Sequence, residues 1–311
     1  MKLSILIVNY NSGDYLSNCV KSIYDNLTRN SEFEILVVDN NSRDESIELL
    51  KRKFSDIRIV RNNTNFGFAK GINIGIINTS GEYILVLNPD TKFLDKSISS
   101  MIDFMDKDQS IAICGPLLVS DNGASQSYPY RFTGIFHELK FLFGAYFLHS
   151  IFVEKFYKPT ECDYIVGGCM LIRRSAIDDV GLFDENFFMF SEEEEFAFRS
   201  RQKKWKVFFY PETRLIHYGK GSSGELEDER IVNQRMSALY YYSRRYGVFP
   251  MVFLRFIALL NICIRLIIVS LRLMLFPDKV KYNLKVIKGN LKAMILVLRM
   301  KDSKKLQKET T

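Results

Sequence analysis

Short apolar runs alternate with amphipathic stretches through the first ninety residues. Residues 3–8 are apolar almost throughout, as suits a strand buried on both faces. Asn9-Tyr10-Asn11-Ser12-Gly13 breaks the run. Beyond it, Tyr15, Leu16, Cys19, Val20, Ile23 and Leu27 recur at helical spacing and share one face. The same reading predicts strands over 34–38, 57–60 and 83–87, with helices over 44–53 and 68–78 between them. This β-α-β-α-β-α-β order predicts an α/β fold, a mostly parallel sheet flanked by helices.

Open sheets of this kind bind ligands at the carboxyl ends of their strands. Polar clusters fall at those ends: Asn9–Asn11, Asp39–Ser42 and Asn88–Asp90. The segment from Asn65 to Asn73, with Gly67, Lys70 and Gly71 inside it, enters a helix with glycines and amides. A helix entry suits phosphate or base-edge contacts, although glycine there also serves plain turn geometry. The chain has no GxGxxG and no GxxxxGK[ST], which argues against a dinucleotide-binding Rossmann domain and a P-loop NTPase.

The pattern changes near the end of the chain. Residues 249–276 are strongly apolar, yet hold Arg255, Arg265 and Arg272. Their longest uncharged run is nine residues, which reads as too short to span a bilayer. At about 100° per residue, Asn261, Arg265 and Arg272 fall within about 40° of each other, so this helix is amphipathic. A second helix over 278–300 sets Val280, Leu284, Ile287, Leu291, Ile295 and Leu298 on one face. Lys281, Lys285, Lys288 and Lys292 form the adjacent stripe. The expected division is a catalytic domain at 1–247 and a basic amphipathic helical extension at 248–311. An apolar face beside lysines suits an anionic membrane surface. The alternative is a helical hairpin packed on the main domain or on the partner of a homodimer.

Charge sharpens that division. Of 43 Lys+Arg and 36 Asp+Glu, the stretch from Val248 onward holds 13 and 3, a balance of +10. The remaining 30 basic and 33 acidic residues give the first 247 positions a balance of −3, which makes a nucleic-acid groove there improbable. At 311 residues and 47% hydrophobic, the chain has ample material for a core. The five cysteines are scattered and form no CxxC pair, so neither a disulfide framework nor a zinc site is implied. No signal-peptide pattern opens the sequence, and a reducing cytosol is the expected setting.

The sharpest candidate for chemistry is the run Glu192–Glu195, bordered by Phe187, Phe188, Met189 and Phe190 before it and by Phe196 and Phe198 after. Apolar flanks bury a segment, and burial penalises a carboxylate that has neither partner nor task. Acids also collect at helix N-termini, where the macrodipole favours them.

Taken in order along residues 3–247, these motifs resemble the family 2 glycosyltransferases, which have the GT-A fold. The matching segments are SILIVNYN (4–11), ILVVDNNS (35–42), NFGFAKGIN (65–73) and LVLNPDT (85–91). They continue with GGCMLIRR (167–174), GLFDENFFMF (181–190), the glutamate run and HYGKGSS (217–223). The LNPD and FDENFFM segments resemble bacterial rhamnosyltransferase-like members in particular.

The resemblance implies an inverting transfer of a sugar, rhamnose included, from a UDP- or dTDP-sugar. The implied acceptor is a lipid-linked saccharide of bacterial surface polysaccharide. It places the nucleotide sugar against Val8, Asn9, Tyr10, Asp39, Asn65, Gly67, Lys70, Asn73 and Asn88. Asp39 would accept the N3–H of a pyrimidine, which uracil and thymine both offer. Asp90 would replace the last acid of the family's DxD motif and hold Mg2+ or Mn2+ on the diphosphate. Asn88 stands where the first acid would be. His217 resembles the second metal or diphosphate contact, with Ser222 and Ser223 beside it. The family frame puts its general base at Glu193 and its preceding glutamate at Glu192, although this chain writes glutamate where the family writes aspartate. These departures keep a catalytically inactive nucleotide-sugar-binding or membrane scaffold protein as the alternative. The aromatic stretch 123–160 matches no motif, and in the family the corresponding stretch helps shape the acceptor site. His137 and His149 have no context that assigns them a role. The implied location is cytoplasmic, peripheral on the inner face of the cell membrane.

Overall fold

Strand β1 (Leu3–Asn9) is buried at every residue and lies between β2 (Phe33–Asp39) and β4 (Tyr83–Leu87), parallel to both. This is the environment that an unbroken apolar run demands. Strand β3 (Arg58–Arg61) adds outside β2, also parallel. Helices α1 (Asp14–Asn26), α2 (Ser46–Lys53) and α3 (Phe68–Ile77) make the crossovers. A computed structural model describes residues 1–27, 33–134, 157–219, 227–275 and 280–299 of the chain.

The rest of the sheet was less visible in the sequence. It consists of β5 (Thr91–Phe93), helix α4 (Ile98–Lys107), β6 (Ile111–Val119), β7 (Thr160–Glu161), β8 (Cys169–Arg173) and β9 (Lys206–His217). Helices α5 (Arg174–Val180) and α6 (Glu192–Gln202) lie between β8 and β9. The strand order is β3-β2-β1-β4-β8-β6-β9-β5, with β7 on β9. Strand β8 is antiparallel to β4 and to β6, whereas β6 and β9 are parallel. The sheet is therefore mixed, and its longest ladders are parallel.

Side chains of Leu3, Ile5 and Ile7 join Leu16, Cys19, Val20 and Ile23 of α1 and Met101 and Met105 of α4 in one core. Helix α3 closes onto β1 through its glycines. A Cβ at Gly75 would lie 2.0 Å from Leu6, and one at Gly71 would lie 2.7 Å from Val8. Helix α2 begins at Ser46, two residues later than predicted. Asp44 is held outside the helix, because its carboxylate accepts from Gly13 N–H and from both the N–H and the hydroxyl of Ser46.

The chain forms two compact units. The first comprises 1–132, 156–185 and 192–224, and the second 133–155, 186–191 and 225–311. The second unit contains α7 (Glu227–Tyr246), α8 (Val248–Leu275) and α9 (Val280–Arg299). The boundary expected at 247/248 thus falls inside it, between α7 and α8. Gly289 on α9 lets that helix approach α7, since a Cβ there would sit 2.8 Å from Asp228 Cα. The Asp228 carboxylate binds Lys292 at 2.8 Å and Lys288 at 3.2 Å.

Within α8, the 19-residue stretch Phe253–Leu271 has a mean hydropathy of 2.2 and is 28% buried. By length and composition alone it is long and apolar enough to cross a membrane. The uncharged runs within it are shorter, because Arg255 and Arg265 interrupt the stretch, and charges there oppose crossing. An arginine inside an apolar helix need not face outward: Arg255 donates to the Val297 carbonyl of α9 at 2.8 Å.

Candidate active site

The carboxyl ends of β1 and β2 come side by side, with Asn9 paired to Asp39 across the ladder. Both are buried. Asn9 Nδ2 donates to Asp39 Oδ1 at 3.0 Å, and the Ser42 hydroxyl donates to the same oxygen at 2.6 Å. Ser42 thus holds Asp39 in place. Ser12 donates to Asn9 Oδ1 from the loop after β1. Asn11 and Asn41, at the turns leaving the two strands, adopt φ of 48° and 63°, the left-handed region that asparagine tolerates. Val8 is buried, and Tyr10 is half-buried beside it.

Asn65 and Gly67 shape the entry to α3. Asn65 Oδ1 accepts from Gly67 N–H at 3.0 Å, and Gly67 takes φ 83°, which a side chain would strain. Asn40 Nδ2 donates to the Gly67 carbonyl at 2.9 Å and ties this turn to the end of β2. Lys70 and Asn73 engage the segment 183–185 instead. Lys70 Nζ lies 3.3 Å from Glu185 and above the Phe66 ring. Asn73 donates to the Phe183 carbonyl and Glu185, and accepts from Phe183 N–H. Its whole amide is committed to clamping α3 to that segment.

A second cluster forms where β4 ends. Thr91 pairs with His217 across the β5–β9 ladder, and this register brings the imidazole to the Asn88–Pro89–Asp90 turn. His217 Nε2 lies 3.4 Å from Asp90 Oδ1 and 3.5 Å from Asn88 Nδ2. Its other ring nitrogen is 2.8 Å from Gln126 Oε1. Gln126 therefore orients the ring, a role that nothing in the local sequence signalled. The Asp90 carboxylate is 3% exposed.

Among the described residues, no group of three or more His, Cys, Asp or Glu side chains could hold a metal. Asp90 and His217 supply two donors. That fits a Mg2+ or Mn2+ ion carried mainly by substrate phosphates and water, which takes only one or two protein ligands. It does not fit a resident ion in a cage of protein ligands.

Two glycines connect this cluster to the glutamates. Asn88 N–H donates to the Gly168 carbonyl at 3.1 Å, and Gly167 N–H donates to the Glu193 carboxylate. A Cβ at Gly168 would stand 3.7 Å from His217 Nε2, and one at Gly167 would stand 4.0 Å from Glu192 Oε1. The Gly167–Gly168 turn thus has the histidine cluster on one side and the carboxyl pair on the other. The contacts that exclude a side chain are elsewhere: a Cβ at Gly168 would stand 2.8 Å from Leu118, and one at Gly167 would stand 3.3 Å from Phe68.

The four glutamates have separate surroundings. Glu195 is buried and pairs with Arg199 at 2.9 Å along its own helix, a structural ion pair. Glu194 is buried, and with Glu193 it faces the buried phenol of Tyr164. Burial and the two carboxylates push the Tyr164 hydroxyl well above the usual tyrosine range. Tyr164 sits in an aromatic stack with Tyr130 and Phe132, and Phe132 meets Phe198 edge to face. Glu192 and Glu193 hydrogen-bond to each other, and each keeps one buried carboxyl oxygen without a partner. Burial raises the Glu192 pKa well above the usual glutamate range, and the charge of Glu193 adds to this. Burial also raises Glu193, opposed by its own backbone N–H, by Glu192 and by Gly167 N–H. Two carboxyl groups in such contact share a proton rather than both ionising.

Of the aromatic frame, Phe196 is fully buried and stacks on Phe183 within the first unit, at a centroid distance of 4.5 Å. Phe187 packs on Tyr240 within the second. Phe190 and Ser191, just before α6, adopt φ of 72° and 65°. Two successive non-glycine residues in that region store strain of about 1–3 kcal/mol each, a pattern that clusters at functional sites. Ser222, Ser223, His137, His149 and most of the aromatic stretch lie outside the described residues.

A sequence profile described as "Glycosyl transferase family 2" matches residues 4–181. The chain is 22% identical over 266 residues to an N-acetylglucosaminyl-diphospho-decaprenol L-rhamnosyltransferase of Mycobacterium tuberculosis, covering 79% of this chain and 85% of that one. It is 23% identical over 224 residues to rhamnosyltransferase WbbL of Escherichia coli, covering 69% and 82%. In structure it resembles the mannosyltransferase PcManGT of Pyrobaculum calidifontis, solved with GDP-Man and Mn2+. The TM-score is 0.60 at 12% identity, over 97% of this chain and 88% of that one. It also resembles GalNAc-T7, solved with UDP, GalNAc and Mn2+, with a TM-score of 0.55 at 17% identity. There it covers 79% of this chain and only 50% of the longer GalNAc-T7 chain. Sheet order, strand-end cluster and family match agree: the chain belongs to glycosyl transferase family 2 and has the GT-A fold.

Proposed function

We propose that the protein is an inverting hexosyltransferase of bacterial surface-polysaccharide assembly, of the O-antigen type. It takes a sugar, rhamnose foremost, from a UDP- or dTDP-sugar and gives it to a lipid-linked saccharide. It works on the cytoplasmic face of the cell membrane as a peripheral protein. The observation that carries the reading is the hydrogen-bonded bridge from Asn88 through Gly168 and Gly167 to Glu193. A diphosphate held at Asp90 and His217 on one side of that bridge leaves room for an acceptor hydroxyl at Glu193 on the other. The names of the Mycobacterium tuberculosis and Escherichia coli relatives support rhamnose, and the first supports a lipid-diphosphate acceptor.

In this reading Val8, Asn9, Tyr10 and Asp39 receive the nucleoside, with Asp39 accepting from the pyrimidine N3–H. Asn65 and Gly67 shape the neighbouring wall, and Lys70 offers a cation at the helix entry. Asn73 holds α3 in place. Asp90 and His217 would hold Mg2+ or Mn2+, which would supply charge neutralisation to the departing diphosphate. Glu193, as carboxylate, takes the proton of the acceptor hydroxyl as its oxygen bonds to the anomeric carbon. The bond from that carbon to the diphosphate oxygen breaks on the opposite face, and the nucleoside diphosphate leaves. A single displacement from the opposite face inverts the anomeric configuration, and it needs only one base.

Incubation of purified protein with Mn2+, a panel of nucleotide sugars and a polyprenyl-diphosphate saccharide tests this reading. Transfer from a UDP- or dTDP-sugar is expected. Binding of UDP and dTDP with neither transfer nor donor hydrolysis would replace it with the inactive binding protein.

A further inference from the structure

The C-terminal helices turn their apolar side chains outward. On α8, Phe253, Phe256, Leu260 and Ile267 are 51, 63, 41 and 61% exposed, and their steps of three, four and seven residues keep them on one line. On α9, Leu284, Leu291, Ile295 and Leu298 are 53, 41, 45 and 63% exposed on a similar line. The faces turned inward are mixed, with Leu254, Ile257, Ile262 and Val297 buried. Asn261, Asn283 and Asn290 are 1, 4 and 0% exposed, with Ala258 and Ala293 beside them. A helix pair that meets only water carries polar side chains along its outer line instead. Apolar stripes exposed on two neighbouring helices mark an interaction surface.

Charge selects what covers it. Lys281 and Lys285 are exposed in the stripe next to the apolar line of α9. Lys288 and Lys292 are partly engaged by Asp228. The region from Val248 onward carries the +10 excess counted from the sequence. That excess repels a second copy of the same face and attracts anionic headgroups. The lysines between 281 and 292 also prevent α9 from crossing the hydrocarbon.

We propose that α8 and α9 lie flat in the headgroup–acyl boundary of an anionic bilayer. Phe253, Phe256, Leu260 and Ile267 with Leu284, Leu291 and Ile295 insert, and Lys281 and Lys285 meet the lipid phosphates. The proposed transfer to a lipid-linked acceptor gives this surface its purpose, but the surface itself is tested without any turnover.

Cys263 is the exposed cysteine of the five, and it falls on the apolar line of α8. The full chain, labelled there with an environment-sensitive fluorophore, is mixed with phosphatidylcholine vesicles with or without phosphatidylglycerol. The expected result is a blue-shifted emission with the anionic vesicles, quenched by lipids brominated in the acyl chain. In flotation, Phe256→Glu with Ile267→Glu, and separately Leu291→Glu with Ile295→Glu, weaken vesicle binding about tenfold or more. Lys281→Glu with Lys285→Glu removes the preference for anionic lipid. A Lys51→Glu control on the exposed surface of α2 leaves binding unchanged.

A label that stays in water on vesicle-bound protein overturns the proposal. So does flotation that the glutamate variants do not weaken. A blue shift that follows protein concentration without vesicles assigns the surface to a second copy instead. Donor hydrolysis in solution separates this from the transferase reading. A chain that inserts but turns over nothing loses the activity and keeps the surface. A chain that turns over but stays in water does the reverse.

Discussion

At the residue scale, the glutamate run resolves into separate tasks. Glu195 belongs to Arg199, Glu194 faces Tyr164, and Glu192 and Glu193 form a proton-sharing pair. Sequence made the run conspicuous, but four identical residues carry no sign of which one meets Gly167 N–H. Replacing Glu193 by Gln is expected to lower kcat roughly 100- to 10,000-fold with little change in donor binding, measured by steady-state kinetics and calorimetry with UDP or dTDP. Glu192 has a subtler signature. Its hydrogen bond favours the charged form of Glu193, so losing it raises the Glu193 pKa. The acid limb of the kcat/KM profile is expected to move to higher pH in Glu192→Ala. Glu192→Gln, which still donates, stays near wild type. An unmoved limb in both variants would leave Glu192 a packing residue. For Asp90→Asn, the expectation is roughly hundredfold weaker Mn2+ binding to the UDP-loaded or dTDP-loaded protein, read by titration calorimetry.

At the element scale, the first four strands were legible because each is a short apolar run ended by polar or turn residues. Strands β6 and β8 escaped, since their pairing is set by long-range contacts rather than local periodicity. That gap hid Gln126 and left the GGCMLIRR motif without a role for Gly167 and Gly168, which take on meaning only once β8 lies between β4 and β6. The glycines of α3 were legible as a helix entry, but only Gly67 serves that purpose. Gly71 and Gly75 exist for close approach to β1. Gly75→Ala drives a methyl into the buried Leu6 side chain, at an expected cost of about 1–3 kcal/mol in chemical denaturation. Gly13→Ala meets no atom within 4 Å but must hold φ 55°, so its smaller cost is conformational rather than steric.

At the scale of the whole molecule, the proposed chemistry and the basic charge fall in different units of the chain. The near-neutral first unit holds the residues proposed for donor binding and acid–base chemistry, while the basic excess lies in the second. The place of α7 was not foretold, because its polar surface gives no hint that Asp228 anchors Lys288 and Lys292. The central claim is a single displacement at the anomeric carbon with Glu193 as base. Its most direct test is the anomeric configuration of the product, read by NMR after transfer from a UDP- or dTDP-sugar to a polyprenyl-diphosphate saccharide with Mn2+. The account predicts inversion relative to the donor, abolished in Glu193→Gln. A product that retains the donor configuration, or one formed at an undiminished rate by Glu193→Gln, would contradict it.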